Sequence, residues 1–218
     1  MISALLAEGL AELGLPSEGE LHNHLASYAQ AIEEWNPAYG LVGATGDELI
    51  IKHILDSLAP LSIIDRFASA RRRSSLADLG TGAGLPGIPL ALARGAFDVA
   101  LIDRMTRRIT FLEAMKSLLG LGNVQIIETQ VEHARGAWDL VTFRAFRPFE
   151  RKLFKRVFAL CAPGGYVIAY KGKMERAKAE LAEIEGLYSS VEFHPVKVPF
   201  LEDERCVVLL SPALKTKT

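Results

Sequence analysis

The sequence predicts an α/β protein built on a mostly parallel, seven-stranded sheet with an antiparallel terminal strand, preceded by N-terminal helices. Three observations carry this. From about residue 75, short β-rich runs alternate with helical stretches, and repeated strand, helix, strand units make a parallel, doubly wound sheet. The last two runs, SSVEFHPVKV (189–198) and ERCVVLLSP (204–212), are joined only by Pro199 to Asp203. That link is too short for a crossover and forces an antiparallel hairpin. Finally, LADLGTGAGLPGIPLALA (76–93) places four glycines between an apolar run and a helical one, where backbone comes close to a ligand.

The elements follow in order. Residues 2–13 and 20–35 carry apolar side chains at helical spacing, separated by Gly14, Pro16 and Gly19, and the second helix is expected to end at Asn36-Pro37. WNPAYGLVGATG (35–46) reads as a loop, and Asp47 as the cap of a third helix that ends at Pro60. Then come strand SSLADLG, helix GIPLALARG, strand DVALID, helix 105–122, strand NVQIIET and a VEHA turn. Strand WDLVTFRA, a helix over 148–165, strand YVIAYKG and a charged helix from Glu175 to Glu185 lead to the hairpin. Residues 1–62 are read as an N-terminal helical segment and 63–218 as the main domain.

Composition bounds the function. Half of the 218 residues are hydrophobic, enough for a sizeable core, yet the longest apolar stretch is far short of the ~20 residues a membrane span needs. MISALLAEGLAELGLP lacks a basic leader and carries Glu8 and Glu12, so a soluble, cytoplasmic protein is expected, without membrane contact and as a monomer. Cys161 and Cys206 have no CxxC partner and no histidine at metal spacing; they read as buried thiols, and no metal is expected. Residues 1–60 hold nine acids and one base, the remainder 24 bases and 17 acids. Such asymmetry suits a polyanion-binding body with an acidic appendage, and equally two solvated faces.

Charge narrows the ligand of the glycine loop. No Gly-Lys-Ser/Thr follows, which removes a phosphate-cradling P-loop. Gly82, Gly84 and Gly87 fit a dinucleotide fingerprint as written, but Pro86 then falls where a pyrophosphate needs free N–H groups. The alternative register sets Asp78 at the strand end before Gly80, Gly82 and Gly84. An acid there repels a pyrophosphate and attracts the ammonium and sulfonium of S-adenosylmethionine. Asp103 ends the second strand, where a doubly wound sheet presents an acid to a ribose diol. Val131 and Glu132 open the turn where an adenine would lie.

Several stretches together resemble the bacterial small-subunit ribosomal RNA guanine-N7 methyltransferases, also called glucose-inhibited division protein B. They are HILDSL (53–58), LADLGTGAGLPGIPLA (76–91), RRITFL (107–112), the Val131-Glu132 pair, FRAF (143–146) and YKG (170–172). The resemblance spans about residues 35 to 210. It implies a class I S-adenosylmethionine-dependent methyltransferase of Rossmann-like fold, acting on guanine N7 of 16S ribosomal RNA near the decoding centre, on free RNA or on the small ribosomal subunit. It also implies cofactor contacts at Gly80, Leu85, Val131, Glu132 and Arg144. The chain departs from the family at Gly40-Leu41-Val42, where the family has Asn-Leu-Thr.

Guanine N7 has a lone pair and no proton, so no general base is required and the lack of an obvious catalytic His or Cys is expected. Arg144 and Lys171, at the ends of the fourth and fifth strands, are the candidate catalytic residues. His53 and Asp56, three apart on one helical face, together with Arg108 and Arg147, are the candidate substrate-binding residues. The clusters Arg71 to Arg73, Arg104 with Arg107 and Arg108, and Arg147 through Arg156 are candidates for phosphate contact. Two other readings stay open from sequence: a small-molecule methyltransferase, and a non-catalytic, cofactor-binding, ribosome-associated scaffold.

Overall fold

Apolar alternation along the strands explains how one sheet holds two layers of helices. A computed structural model describes residues 2–68, 74–145 and 148–213. Seven strands, β1 (Ser74–Leu79), β2 (Phe97–Asp103), β3 (Val124–Glu128), β4 (Trp138–Arg144), β5 (Cys161–Lys171), β6 (Tyr188–Val196) and β7 (Arg205–Pro212), form one sheet in the order β3-β2-β1-β4-β5-β7-β6. Only β7 runs antiparallel to its neighbours, inserted between β5 and β6. Leu76, Leu101, Leu140, Val207 and Leu209 point to one hydrophobic core, and their neighbours Ala77, Ala100, Val141, Val208 and Leu210 to the other.

Helices α1 (Ile2–Glu12) and α2 (Glu20–Tyr39) pack on the first face with α6 (Gly87–Ala93) and α7 (Thr106–Leu118). Helices α8 (Arg151–Ala159) and α9 (Met174–Glu180) cover the second. Leu6, Leu10, Leu25 and Ile32 share one cluster with sheet residues Leu76 and Leu101, so the N-terminal helices complete the core of the sheet domain. The division expected at residue 62 falls inside a helix, α5 (Leu61–Phe67), which the sequence reading did not anticipate.

Three boundaries differ from expectation. Helix α2 runs through Pro37 to Tyr39, because a proline in the last turn forfeits only one hydrogen bond; Gly40, at φ 57°, closes the helix with its N–H on the Asn36 carbonyl at 2.8 Å. The third helix is interrupted: α3 (Gly46–Leu49) passes into a π-helical segment, Ile50–Leu55, before α4 (Asp56–Leu58), and Thr45 rather than Asp47 stands at its cap. Helix α8 ends at Ala159, and the CAPGG stretch belongs to β5. A Cβ on Gly165 would lie 2.8 Å from the Asp139 carbonyl oxygen, so the glycine lets β5 close on β4 across a break in register.

Candidate active site at the carboxyl ends of the strands

The strand order reverses between β1 and β4, and the parallel strands end there in Asp78-Leu79, Asp103, Glu128, Arg144 and Lys171. Open α/β sheets bind ligands in the crevice this creates. Two cavities occupy it, one of about 400 Å³ and one of about 730 Å³, with His53, Arg144 and Ala145 in the walls of both.

The smaller cavity is built by the glycine loop. Gly80, Gly82 and Leu85 line it, with Asp103, Val131, Glu132 and Arg144, so seven of the expected cofactor residues converge. Asp78 and Gly84 are not in its lining. Asp78 is fully buried beneath the loop, its Oδ2 accepting from the Thr81 hydroxyl at 2.6 Å and the Gly87 N–H at 2.9 Å. Gly84, at φ 95°, leaves no space for a Cβ, which would meet Ile88 at 2.4 Å. Gly87 allows α6 to lie on the sheet, since a Cβ there would meet Leu101 at 2.3 Å and Asp78 Oδ2 at 2.9 Å. Tyr28 of α2, also fully buried, donates its hydroxyl to the Ala83 carbonyl at 2.6 Å and ties the N-terminal helices to the loop.

Asp103 stabilises the opposite wall. Its Oδ2 accepts from the Gly82 N–H at 3.0 Å and from Arg108 at 3.1 Å, and its Oδ1 from the Met105 N–H at 3.0 Å. Arg108, expected at the substrate, lines this smaller cavity, paired with the acid. Beneath the glycine loop, Asp78 Oδ1 is buried without a hydrogen-bond partner among the described residues, and burial pushes the Asp78 carboxyl up to about 6 despite its two donors. A buried, unsatisfied carboxylate oxygen behind a glycine loop, with Asp103 and Glu132 in the adjoining cavity, fits the cationic, diol-bearing S-adenosylmethionine.

The larger cavity meets the first at a cluster that joins three of the expected residues. Arg144 Nη1 donates to Asp56 Oδ2 at 2.7 Å and to the Lys52 and His53 carbonyls at 3.0 and 3.3 Å, while its Nη2 lies 3.1 Å from His53 Nδ1. Those carbonyls belong to the π-helical segment, whose wider turn departs from the α-helical hydrogen-bond ladder. Burial, and then the Arg144 charge, push the His53 imidazole down to about 4, so Nδ1 is an acceptor at neutral pH. Arg205 Nε donates to Asp56 Oδ1 at 3.1 Å, leaving the carboxylate held between two guanidinium groups. Tyr170 donates to the Ser57 carbonyl at 2.9 Å and anchors the same helix from β5. Ala145 takes φ 47°, a strained conformation for a non-glycine residue, at the junction of the two cavities.

Lys171 also lines the larger cavity, with its ammonium 2.5 Å from Glu180 Oε2 and 4.1 Å from the centre of the Phe149 ring. Arg147, Arg71 to Arg73 and Phe146 lie outside the described residues. Sequence reasoning missed Tyr28, Tyr170, Glu180 and Arg205. One signal for Arg205 was available: an antiparallel strand starts at the edge where parallel strands end, so its first basic residue joins their carboxyl ends. Tyr28 gave no such signal, because its partner is 55 residues away.

Among the described residues no group of His, Cys, Asp and Glu is placed to hold a metal ion. Burial pushes the Cys161 thiol up to about 12 and raises that of Cys206, which disfavours the thiolate at both. No helix of the described residues is long and apolar enough to cross a membrane.

Comparisons with known proteins bear on the family and the fold. The chain is 35% identical to a ribosomal RNA small subunit methyltransferase G of Legionella pneumophila over 96% of its own length and 95% of that protein's. A protein of the same name from Treponema denticola is 34% identical, with 95% and 94% covered, and one from Aromatoleum aromaticum 36%, with 96% and 99% covered. In fold, the chain is similar to a SAM-dependent methyltransferase from Aquifex aeolicus, with a TM-score of 0.54 at 16% identity over 72% of this chain and 91% of that one. It is also similar to the tRNA (m1A58) methyltransferase TrmI of Aquifex aeolicus, with a TM-score of 0.56 at 14% identity over 73% and 68%. The sequence model of one family matches residues 21–208, and the chain belongs to that family, the rRNA small subunit methyltransferase G proteins.

Proposed function

We propose that this chain transfers a methyl group from S-adenosylmethionine to N7 of a guanine in 16S ribosomal RNA near the decoding centre, working in the cytoplasm on naked RNA or on the small subunit. The observation that carries this reading is the junction of the two cavities at His53, Arg144 and Ala145. A nucleoside-sized cavity behind a glycine loop opens there into a larger one with cationic walls. The family and the relatives named above support the RNA substrate.

When bound, S-adenosylmethionine supplies an electrophilic methyl group carried on a sulfonium. The protein's own contribution is placement. Gly80, Gly82 and Leu85, which line the smaller cavity, would hold the methionine end, Asp103 would hold the ribose, and Val131 with Glu132 would hold the adenine. Arg144 fixes the junction by joining β4 to the π-helical segment, and Asp56 offsets its charge, so that a guanine acquiring positive charge does not meet an uncompensated guanidinium. His53, neutral and occupied at Nδ1, is a positioning residue; a nucleophile without a proton leaves no work for a base. Holding N7 in line with the methyl group contributes up to about 7 to 11 kcal/mol in favourable systems.

The test is to incubate the protein with methyl-labelled cofactor and, separately, small subunits, naked 16S RNA and a metabolite extract. Labelled RNA is then reduced and cleaved with aniline, which cuts at N7-methylguanine. A single cleavage site in 16S RNA is the expected result. Label confined to metabolites, or labelled RNA that aniline does not cleave, overturns the reading.

A further inference from the structure

A base methylated inside a folded RNA has to leave its stack, and an extruded base is read along its Watson–Crick edge. In guanine that edge presents two donors, N1–H and the N2 amino group, beside the O6 acceptor. Its natural reader is a carboxylate next to a cation. Two carboxylates line the 730 Å³ cavity, Asp56 and Glu180. Asp56 is already occupied, Oδ2 by Arg144 at 2.7 Å and Oδ1 by Arg205 at 3.1 Å.

Glu180 differs. Its Oε2 accepts from Lys171 at 2.5 Å and from the Phe149 N–H at 3.4 Å. Its Oε1 has only the Arg176 guanidinium at 3.8 Å among the described residues, beyond hydrogen-bond range and on a side chain that is 83% exposed. Glu180 and Lys171 are nevertheless well packed, at 18% and 15% exposure. The ammonium is held in place against the Phe149 ring and still has donors to spare. The pair is thus packed, sheltered and incompletely satisfied, in the wall of the cavity.

We infer that the Lys171–Glu180 pair reads the Watson–Crick edge of the extruded guanine, Glu180 accepting from N1–H and the N2 amino group and Lys171 donating to O6. Adenine would set its N1 lone pair against the carboxylate, and that repulsion excludes it. The inference rests on the guanine-methylating reading above and names the residues that select the base.

Inosine tests it, because it keeps N7, N1–H and O6 and lacks only the N2 amino group. Small subunits are reconstituted with 16S RNA carrying guanosine or inosine at the position located by aniline cleavage. The wild-type chain is expected to prefer guanosine about 10- to 100-fold in kcat/KM, the range of one good base-edge contact. Glu180→Gln should lose most activity on guanosine and most of that preference, while its affinity for S-adenosylmethionine stays unchanged. Equal wild-type rates on the two RNAs, or a Glu180→Gln variant that loses activity on both by the same factor, overturn the inference. Should the Gln variant not fold, Glu180→Asp replaces it; a withdrawn carboxylate is expected to narrow the preference, and an unchanged preference overturns the inference. Failure of the function reading looks different: the wild-type chain then methylates no guanine N7 in either RNA, and the base-reading inference falls with it.

Discussion

Asp78 and His53 are displaced in opposite senses, and each sense has a consequence. Asp78 titrates near 6 in the folded chain against 3.8 for an ordinary carboxyl. Its contribution to stability is therefore full below about pH 4 and lost as pH rises through about 6, a change of about 3 kcal/mol. His53, lowered to about 4, contributes the other way: its stability is full above 6.5 and lost as pH falls through 4. Asp78→Asn should gain stability relative to wild type between pH 4 and 7, measured by urea unfolding at both; a difference independent of pH would rule out a buried, ionised carboxylate. The same substitution should weaken S-adenosylmethionine binding, and wild-type affinity should climb as pH passes about 6. Unchanged affinity in calorimetry would separate Asp78 from the cofactor's ammonium. Asp56→Asn uncouples two arginines from a carboxylate that is 6% exposed and should cost about 3 kcal/mol, read as a lower urea midpoint at constant slope.

The N-terminal helices and β5 hold different parts of the site through two tyrosines. Tyr28 of α2 grips the glycine loop at Ala83, whereas Tyr170 of β5 grips the helix that carries His53 and Asp56 at Ser57. Losing either hydroxyl leaves a buried carbonyl unsatisfied, at about 1 to 3 kcal/mol. The functional consequences should divide. Tyr28→Phe is expected to raise the dissociation constant for the cofactor several-fold, and Tyr170→Phe to lower methyl transfer with cofactor affinity intact. Equal effects of both variants on cofactor binding, by calorimetry, would show that the two anchors act on one undivided structure.

Acidic N-terminal helices cover one face of the sheet, and the basic stripe of α8 lies exposed on the other, with Arg151 donating to the Glu185 carbonyl and Lys152, Lys155 and Arg156 in solvent. Lys152→Glu combined with Lys155→Glu should raise KM for small subunits and flatten its salt dependence, leaving cofactor affinity unchanged; an unaltered salt slope would mark the stripe as merely solvated. The shared core makes a second prediction. A chain lacking residues 1–45 exposes the apolar side of α6 and α7 and should lose its cooperative thermal transition, followed by circular dichroism. Retention of a sharp transition would mean that the sheet domain folds alone.

The mostly parallel seven-stranded sheet, the antiparallel β7 and the position of the glycine loop were legible in the chain because they depend on local patterns: period-two alternation, a link too short for a crossover, and glycines beside an acid. That Asp103, Val131 and Glu132 line the smaller cavity was legible for the same reason, since each ends or follows a strand. The pairing of Arg144 with His53 and Asp56, about ninety residues earlier, was not legible. Neither were the π-helical segment that supplies its carbonyl acceptors, the Tyr28 anchor and the incomplete satisfaction of Glu180. These depend on distances between elements remote in sequence, set by how two layers pack on one sheet. The sequence by itself determined which ends of which strands would form the crevice; only the tertiary structure decided which charges meet there and which are left for a substrate, because hydrogen-bond saturation is a property of packed neighbours.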